Sequence, residues 1–170
     1  MAPPTTPRFD GLKPRDQQAA RLARATSAKR DTRPERTLRR ALFARGLRYR
    51  VDDTSLPGRP DVAFRGARVV VFCDGDFWHG RDLAVRLRRL GRGHNAAYWT
   101  AKLRANVARD DRRNVALLSL GFCVVRVWES DVVAAPKAVA HFIERIVKRR
   151  PAVPIVWRFP AARAAARGGR

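Results

Sequence analysis

The chain of 170 residues is 45% hydrophobic, so it is long enough and apolar enough to fold as one domain with a core of its own. Its 37 lysine and arginine residues outnumber its 15 acidic residues and give a formal net charge of +22, which favours a polyanionic partner, most commonly a nucleic acid. No apolar run approaches membrane length and the 2 cysteines cannot form a disulfide framework, so both a membrane span and a disulfide-stabilised scaffold are excluded.

The first 29 residues are basic and contain few large apolar side chains. Residues 1–14 include four prolines, and we expect a flexible leader there. Residues 15–29 can form a helix with a thin apolar stripe of Ala19, Leu22, Ala23 and Thr26. Such a segment is typical both of an arm that lies on DNA and of a solvated, frayed helix, and we leave these two interpretations open.

The next helix is predicted to begin at residues 32–35, whose sequence is Thr-Arg-Pro-Glu. The threonine can cap the helix, the proline suits its first turn, and Glu35 completes a capping box. Gly46 ends the helix, and residues 47–51 are predicted to form a strand. The buried face is expected to consist of Leu38, Leu42 and Phe43. Glu35 has a second interpretation, as an outer carboxylate of a metal site.

The rest of the chain is organised around residues 56–79, with the sequence LPGRPDVAFRGARVVVFCDGDFWH. A turn opens this stretch, and two apolar segments follow it, at residues 62–64 and 68–73. These segments are short and rich in β-branched side chains, and Gly66 separates them. We therefore predict a β-hairpin that ends in a polar cluster and an aromatic pair.

The register of this hairpin decides where its first carboxylate lies. If Phe64 pairs with Arg68 across the turn, Asp61 falls opposite Val71. The end of the second strand, near Cys73, is then diagonal to Asp61. Side-chain and backbone oxygen atoms would converge there, and hard cations prefer oxygen ligands.

Carboxylates beside a strand end are a common means of holding Mg²⁺ against a phosphodiester. Asp61 follows Pro60 at the start of one strand, a weak signal alone because many Pro-Asp pairs only form turns. The signal is strengthened by Asp74, Asp76 and His79, which all follow the next strand. Histidine titrates near neutral pH, so this side chain can serve as a general acid or base.

Two large aromatic rings, Phe77 and Trp78, come directly after these acids. One interpretation is a core plug under the hairpin, which composition alone favours. The other is a wedge that enters between base pairs, as in proteins that kink DNA.

The second half of the chain contains two clear helices and one strand. The apolar residues in 80–95 do not recur at a regular spacing. We predict that this stretch is a surface segment facing the phosphates of a nucleic acid. Helices are predicted at residues 96–120 and 136–149, and a strand at residues 122–128. Residues 151–170 are rich in Pro, Ala and Arg, and we expect a basic tail there.

The arginines expected to bind DNA are Arg59, Arg81, Arg86, Arg88, Arg89 and Arg92. This order of elements predicts an α/β fold, with a mixed central sheet flanked by helices.

Four separated motifs in one order resemble the very short patch repair (Vsr-type) mismatch endonucleases. The motifs are LPGRPD, VVVFCDGDFWHG, YWTAKLRANVARDDRRNVALLSLGF and VVRVWE, and the similarity runs from residue 26 to residue 129. Members of this bacterial family have the restriction-endonuclease-like fold and nick DNA beside a T:G mismatch, which arises when 5-methylcytosine deaminates. The resemblance implies one nuclease domain over residues 15–150.

The resemblance also implies a role for each candidate residue of the site. Asp61 matches the catalytic aspartate that binds the metal, and Cys73 matches a position whose backbone carbonyl also contacts Mg²⁺. Glu35 matches a helix glutamate that contacts the metal through water. His79 matches the catalytic histidine, and Asp74 stands where the family has His or Asp in the active site. In the family, the residues that match Phe77 and Trp78 intercalate beside the mismatch. The resemblance therefore favours the wedge over the plug.

One departure from the family concerns its structural zinc. Family members bind Zn²⁺ through cysteines and a histidine, beginning at the residue before Phe-Trp-His. Here that residue is Asp76, the segment after His79 lacks the expected His and Cys, and Ser130 replaces the cysteine that follows Trp-Glu. We therefore expect no structural zinc. We predict instead that Asp76 and Arg81 form an ion pair that partly replaces it.

Together these features predict a Mg²⁺-dependent endonuclease that nicks one DNA strand at or next to a T:G mismatch. The altered loop favours one alternative, a nickase or restriction-like nuclease without T:G preference. A second alternative is a non-catalytic DNA-binding protein with a vestigial site. The expected partners are double-stranded, mismatched DNA and mismatch-repair proteins. A monomer in the bacterial cytoplasm, associated with the nucleoid, is the expected form.

Overall fold

A computed structural model describes residues 7–8, 11–13 and 30–160. Most of the predicted leader, the whole of the predicted arm at residues 15–29 and residues 161–170 of the predicted tail lie outside the described residues. The chain divides into two compact units. The sheet unit comprises Arg33–Gly75 and Arg113–Arg170, and the aromatic unit comprises Met1–Thr32 and Asp76–Arg112.

The described helices agree with the main periodic segments of the sequence. They are α1 (Arg33–Ala44), α2 (Leu83–Leu90), α3 (Ala96–Ser119), α4 (Glu129–Ala134) and α5 (Pro136–Arg149). The predictions for α1, α3 and α5 are confirmed to within one or two residues at each end. Within the described ranges, none of these helices is both long and apolar enough to cross a membrane.

Among the described residues, one mixed sheet of five strands forms the centre of the sheet unit. Its strands, in sequence order and in spatial order, are β1 (Arg50–Val51), β2 (Val62–Phe64), β3 (Val69–Asp74), β4 (Cys123–Trp128) and β5 (Val156–Arg158). The first three strands are antiparallel, and β3, β4 and β5 run parallel. The predicted α/β fold with a mixed central sheet flanked by helices is confirmed.

Alternating side chains of β3 and β4 enter two separate cores, because neighbouring residues of a strand point to opposite faces. The larger core joins one face of the sheet to α1, α4 and α5, and it includes Leu38, Leu42, Val69, Val71, Val125, Val132, Val139 and Ile143. The smaller core lies on the other face and consists of Leu56, Ala63, Val70, Phe72, Leu117 and Val124. Each fully buried aliphatic side chain contributes about 1.5–3 kcal/mol, so both faces hold the central strands in place.

The hairpin register differs by one residue from the prediction. Phe64 pairs with Val69 and Val62 with Val71, so Asp61 does not lie opposite Val71. The connection uses a 3₁₀ turn (Arg65–Ala67), and Arg68 adopts a left-handed conformation with φ 52° instead of pairing with Phe64. No sequence pattern indicates that an arginine adopts a left-handed backbone conformation. The prediction centres the turn on Gly66, and its register is therefore wrong by one residue.

Four further predictions need correction. Residues 80–95, expected to be irregular, contain α2, whose eight residues are too few to show a clear period. The strand expected at residues 47–51 is confined to β1. Phe43, expected on the buried face of α1, is 59% exposed. The predicted tail contains β5, which adds a parallel strand beside β4.

Candidate active site

Asp61 lies directly before β2 and is held against the end of β3. Its Oδ2 atom accepts a hydrogen bond of 2.7 Å from the backbone N–H of Cys73. The first carboxylate therefore meets the end of the second strand, as the sequence predicts, even though the strand pairing is shifted by one residue.

The electrostatic surroundings of Asp61 disfavour an uncompensated negative charge. Burial, together with the smaller effect of the nearby carboxylates of Glu35 and Asp74, raises the pKa of Asp61 to about 7. The hydrogen bond from Cys73 and the charge of Arg39 act in the opposite direction. A hard cation beside Asp61 would relieve this repulsion, because a divalent ion favours the ionised form of the carboxyl group.

Glu35 lies in the first turn of α1 and is buried. One of its carboxylate oxygens lies 3.8 Å from a guanidinium nitrogen of Arg39, one turn further along the helix. Its charge acts on both Asp61 and Cys73. This position is compatible with an outer carboxylate that reaches a cation through water, and the capping-box role remains a prediction.

Cys73 presents its backbone, not its thiolate, to this acidic region. Burial raises the pKa of its thiol, and the carboxylates of Asp61, Glu35, Asp74 and Glu129 add to the effect, so the sulfur stays protonated. Within the described ranges, no group of three or more His, Cys, Asp and Glu side chains is arranged to hold a metal ion. A cation here would therefore need backbone and water oxygens beside Asp61, which is the kind of shell that Mg²⁺ retains.

Asp74 ends β3 and is fixed by a buried arginine on the neighbouring strand. Arg126 donates from Nε and Nη2 to the two carboxylate oxygens of Asp74, each at 2.7 Å. A third bond of 2.9 Å runs from Arg126 Nη1 to the side-chain oxygen of Asn114, and the guanidinium stacks 4.9 Å from the Phe72 ring centroid. Arg158 lies 3.6 Å from the same carboxylate. The predicted site residue Asp74 is thus held in place by buried hydrogen bonds within the sheet unit.

His79 belongs to the aromatic unit, where it has a carboxylate partner. Its Nδ1 lies 2.5 Å from Oδ2 of Asp110, which is buried on α3. A carboxylate can only accept at neutral pH, so this contact places the ring proton on Nδ1 and leaves Nε2 with a lone pair. The geometry suits a group that takes or gives a proton at Nε2.

The loop that carries His79 approaches α3 closely. A Cβ atom at Gly80 would lie 2.8 Å from a methyl carbon of Val107, and the backbone there has φ +77°, so a side chain would both clash and be strained. Asn106, also on α3, donates a 3.2 Å hydrogen bond to the backbone carbonyl of Trp78. The close approach at Gly80 and the hydrogen bond from Asn106 together hold the loop of Phe77, Trp78 and His79 against α3.

The aromatic pair is part of a cluster of four rings. The rings of Phe77 and Trp78 meet edge to face at 4.8 Å, and Trp99 lies 6.5 Å and 6.1 Å from them. Tyr98 meets Trp99 at 4.9 Å, and the ammonium of Lys102 lies within 5.7 Å of three rings of the cluster. Trp78 is 43% exposed and is no core plug. An exposed tryptophan supported by other rings is the form that a wedge requires.

The predicted ion pair in the loop before this cluster is confirmed. Arg81 Nη1 donates to Asp76 Oδ1 at 3.0 Å, and the backbone N–H of Arg81 also donates to the carbonyl of Asp76 at 3.2 Å. The two bonds close the loop that contains Phe77, Trp78 and His79.

The arginines predicted to bind phosphate are in different situations. Arg59 donates two hydrogen bonds to Asp52, and Arg86 donates to the backbone carbonyl of Arg81 while its guanidinium lies 5.6 Å from the Phe77 centroid. Arg59 is exposed despite these bonds, and so are three arginines of the group near α2: Arg88, Arg89 and Arg92. These three present their charge to solvent on or just after α2, as a phosphate-binding surface requires.

Two residues of the site, Asp110 and Arg126, do not emerge from the sequence as functional. Asp110 appears there only as one position on the inner face of α3, and Arg126 only as part of an apolar strand. The available signal is their burial: a charged residue at a core position needs a charged partner. The identity of that partner depends on tertiary contacts over 31 and 52 residues of sequence.

Comparison with known proteins identifies a matching family model and several relatives. A family model described as DNA mismatch endonuclease Vsr matches residues 14–85, a range that includes Glu35, Asp61, Asp74 and His79.

Individual relatives extend the similarity beyond that range. The type II nicking enzyme V.HpaIIP of Haemophilus parainfluenzae is 35% identical over 142 residues, which cover 84% of this chain and 98% of that protein. The type II nicking enzyme V.NaeI of Lentzea aerocolonigenes is 40% identical over 127 residues, covering 66% of this chain and 71% of that protein. The DNA mismatch endonuclease Vsr of Escherichia coli (strain K12) is 40% identical over 102 residues, or 60% of this chain and 64% of that protein.

Proposed function

This chain belongs to the Vsr family of DNA endonucleases, it nicks DNA, and we propose that it cuts one strand at or next to a T:G mismatch in a Mg²⁺-dependent reaction. Such a mismatch arises from deaminated 5-methylcytosine, so the proposed role is very short patch repair. The observation that carries the proposal is the position of Asp61, which is partly buried, bonded to the end of β3 and acted on by the charges of Glu35 and Asp74.

Asp61 is proposed as the direct metal ligand. When bound there, Mg²⁺ would polarise a phosphoryl oxygen and activate water. The Cys73 amide fixes Oδ2 of Asp61 in one orientation. The Cys73 carbonyl would supply a neutral oxygen to the ion, and Glu35 would hold a water molecule from α1. Asp74 adds fixed negative charge without leaving its bonds to Arg126.

His79 is proposed to transfer the proton. Its ring is oriented by Asp110, and the 2.5 Å contact stabilises the imidazolium that forms when Nε2 takes up a proton. A side chain oriented in this way exchanges its proton with the reacting group without reorganisation, which is the basis of general acid–base catalysis.

Phe77 and Trp78 are proposed to unstack the DNA at the target step. A T:G pair is held less firmly than a fully paired step, so the unstacking energy of a few kcal/mol is smaller there. Support from Trp99 and the backbone bond from Asn106 keep the wedge rigid. The exposed arginines of the aromatic unit would hold the phosphates, so binding should weaken steeply with salt.

A nickase without T:G preference is the second candidate. It is favoured by the altered loop around the aromatic wedge (Phe77 and Trp78). Asp76 lies before the wedge and Arg81 lies after it, and neither is one of the family's usual zinc-ligand residues. The relatives named type II nicking enzymes are compatible with either candidate.

The test of the catalytic assignment uses Asp61→Asn, which keeps the side-chain shape and an acceptor oxygen for the Cys73 amide. We expect nicking in Mg²⁺ to fall by at least about 10²-fold while affinity for the same duplex stays within about twofold. The matched control is Asp111→Asn, an exposed aspartate of α3, which should leave both quantities unchanged. Undiminished nicking by Asp61→Asn would refute the assignment.

A further inference from the structure

A pocket of about 410 Å³ lies on α1, and one of its lining residues, Arg39, also acts on Asp61. It is lined by Arg36, Arg39, Arg40, Phe43, Ala44 and Tyr49. Three arginines converge on it, and pockets of this volume match small ligands or single nucleotide units.

An exposed aromatic ring stands beside these charges. Phe43 is 59% exposed although its helix buries Leu38 and Leu42 on the opposite side. The guanidinium of Arg48 lies 4.4 Å from its ring centroid, so this apolar surface faces cations and not the core. A ligand that carries both negative charge and a flat or apolar face would bury the ring and pair with the arginines.

The wall of the pocket is rigid. The hydroxyl of Tyr49 donates a 2.7 Å hydrogen bond to the backbone carbonyl of Arg39, which fixes the ring against α1. The same ring meets Phe64 of β2 edge to face at 5.8 Å. One wall of the pocket, Tyr49, is therefore held both by α1 and by β2, the strand that follows Asp61.

The pocket lies next to Glu35 on α1. Its lining residue Arg36 directly follows Glu35 in the helix. Arg39, another lining residue, lies 3.8 Å from the Glu35 carboxylate, and its charge acts to lower the pKa of Asp61. A DNA strand with its cleaved phosphodiester at Asp61 would therefore have a neighbouring phosphate close to the pocket.

We propose that this pocket binds the sugar-phosphate unit next to the cleaved phosphodiester, with Arg36 and Arg40 on the phosphate and Phe43 against the sugar. The inference rests on the proposed function because it takes Asp61 and Glu35 as the cleavage site. The pocket would add a phosphate-binding site on the sheet unit to the arginines of the aromatic unit that are proposed to bind phosphate.

The direct test is protection of Arg40 from phenylglyoxal, an arginine-specific reagent, measured by peptide mass spectrometry in metal-free buffer. We expect a saturating DNA duplex to slow modification of Arg40 severalfold, whereas exposed Arg145 on α5 keeps its rate. Equal rates for Arg40 with and without bound duplex would overturn the pocket. Failure of the protein to bind any duplex would instead overturn the proposed function, so the two failures are distinguishable.

Variants provide an independent measure. The double substitution Arg36→Ala and Arg40→Ala should weaken duplex binding about tenfold or more and reduce the salt slope by one to two. The control is Lys137→Ala with Arg145→Ala, which removes the same charge from exposed positions of α5. Equal losses in the two double variants would mean that only net charge matters, and would overturn the pocket. Phe43→Ala should weaken binding without changing the salt slope.

Discussion

Oδ2 of Asp110 lies 2.5 Å from Nδ1 of His79, and this buried carboxylate orients the imidazole. The two residues are separated by 31 positions in the sequence and meet only because the aromatic loop is held on α3. Asp110 contacts the proposed proton-transfer group and is itself buried, so we assign it as a positioning residue.

Asp110→Asn should lower the single-turnover nicking rate by about 10²–10⁴-fold and leave duplex affinity unchanged, because the amide can stabilise the wrong tautomer of His79. A quench-flow or gel nicking assay measures the rate. The double variant with His79→Ala should be no slower than His79→Ala alone, because the two residues act together. Additive losses would show that Asp110 acts independently of the histidine.

Arg126→Met should destabilise the protein by about 3–5 kcal/mol, because it leaves the buried carboxylate of Asp74 without its partner. Urea unfolding measures the change. Arg158→Ala is the matched control: this arginine also approaches Asp74, at 3.6 Å, but its side chain is 45% exposed, and it should cost less than about 1 kcal/mol. Similar losses in the two variants would contradict the assigned role of Arg126.

The ion pair of Asp76 and Arg81 should stabilise the loop only modestly. A double-mutant cycle with Asp76→Asn and Arg81→Gln is expected to give a coupling energy below about 1 kcal/mol, because both side chains are about one-fifth exposed. The same cycle on the more exposed pair of Asp52 and Arg59 serves as control and should give less. A coupling energy of several kcal/mol would contradict this prediction, and the ion pair would then stabilise the loop as fully as the family's zinc ion.

Glu144 should make stability depend on pH in the acid range. Hydrogen bonds from Lys148 and Arg45 lower its pKa from the usual 4.5 to about 2. A carboxylate with a lowered pKa in the folded state stabilises the protein above its unfolded pKa, and this contribution is lost as the pH falls. The difference in unfolding free energy between wild type and Glu144→Gln should thus be constant above about pH 5.5 and shrink from pH 4.5 to pH 2. A difference that stays constant down to pH 2 would contradict this account.

The sequence predicts those parts of the fold that local patterns determine. α5 is bounded by Pro136 at its start and has apolar residues at helical spacing, and its predicted limits match the observed ones. β3 and β4 are largely apolar and rich in valine, which indicates strands buried on both faces. Where the predictions fail, as for Phe43 and the hairpin register, a turn conformation or a partner elsewhere in the chain decides the outcome.

The site is predictable only in part, for a related physical reason. Asp61 and Cys73 converge because two adjacent strands share a turn, so their contact could be inferred from the hairpin alone. The partners Asp110 and Arg126 are supplied by a helix and a strand that join these residues only in three dimensions. Sequence indicates that such buried charges need partners, but not which residues provide them.

The most direct measurement is a nicking assay in Mg²⁺ on two duplexes that differ at a single pair, T:G in one and fully paired in the other. Each strand is labelled separately, and Asp61→Asn is included to exclude a contaminating nuclease. We predict cleavage of the T-bearing strand of the T:G duplex alone, at or next to the mismatch. Equal cleavage of both duplexes would contradict the proposed mismatch preference and leave a nickase of different specificity.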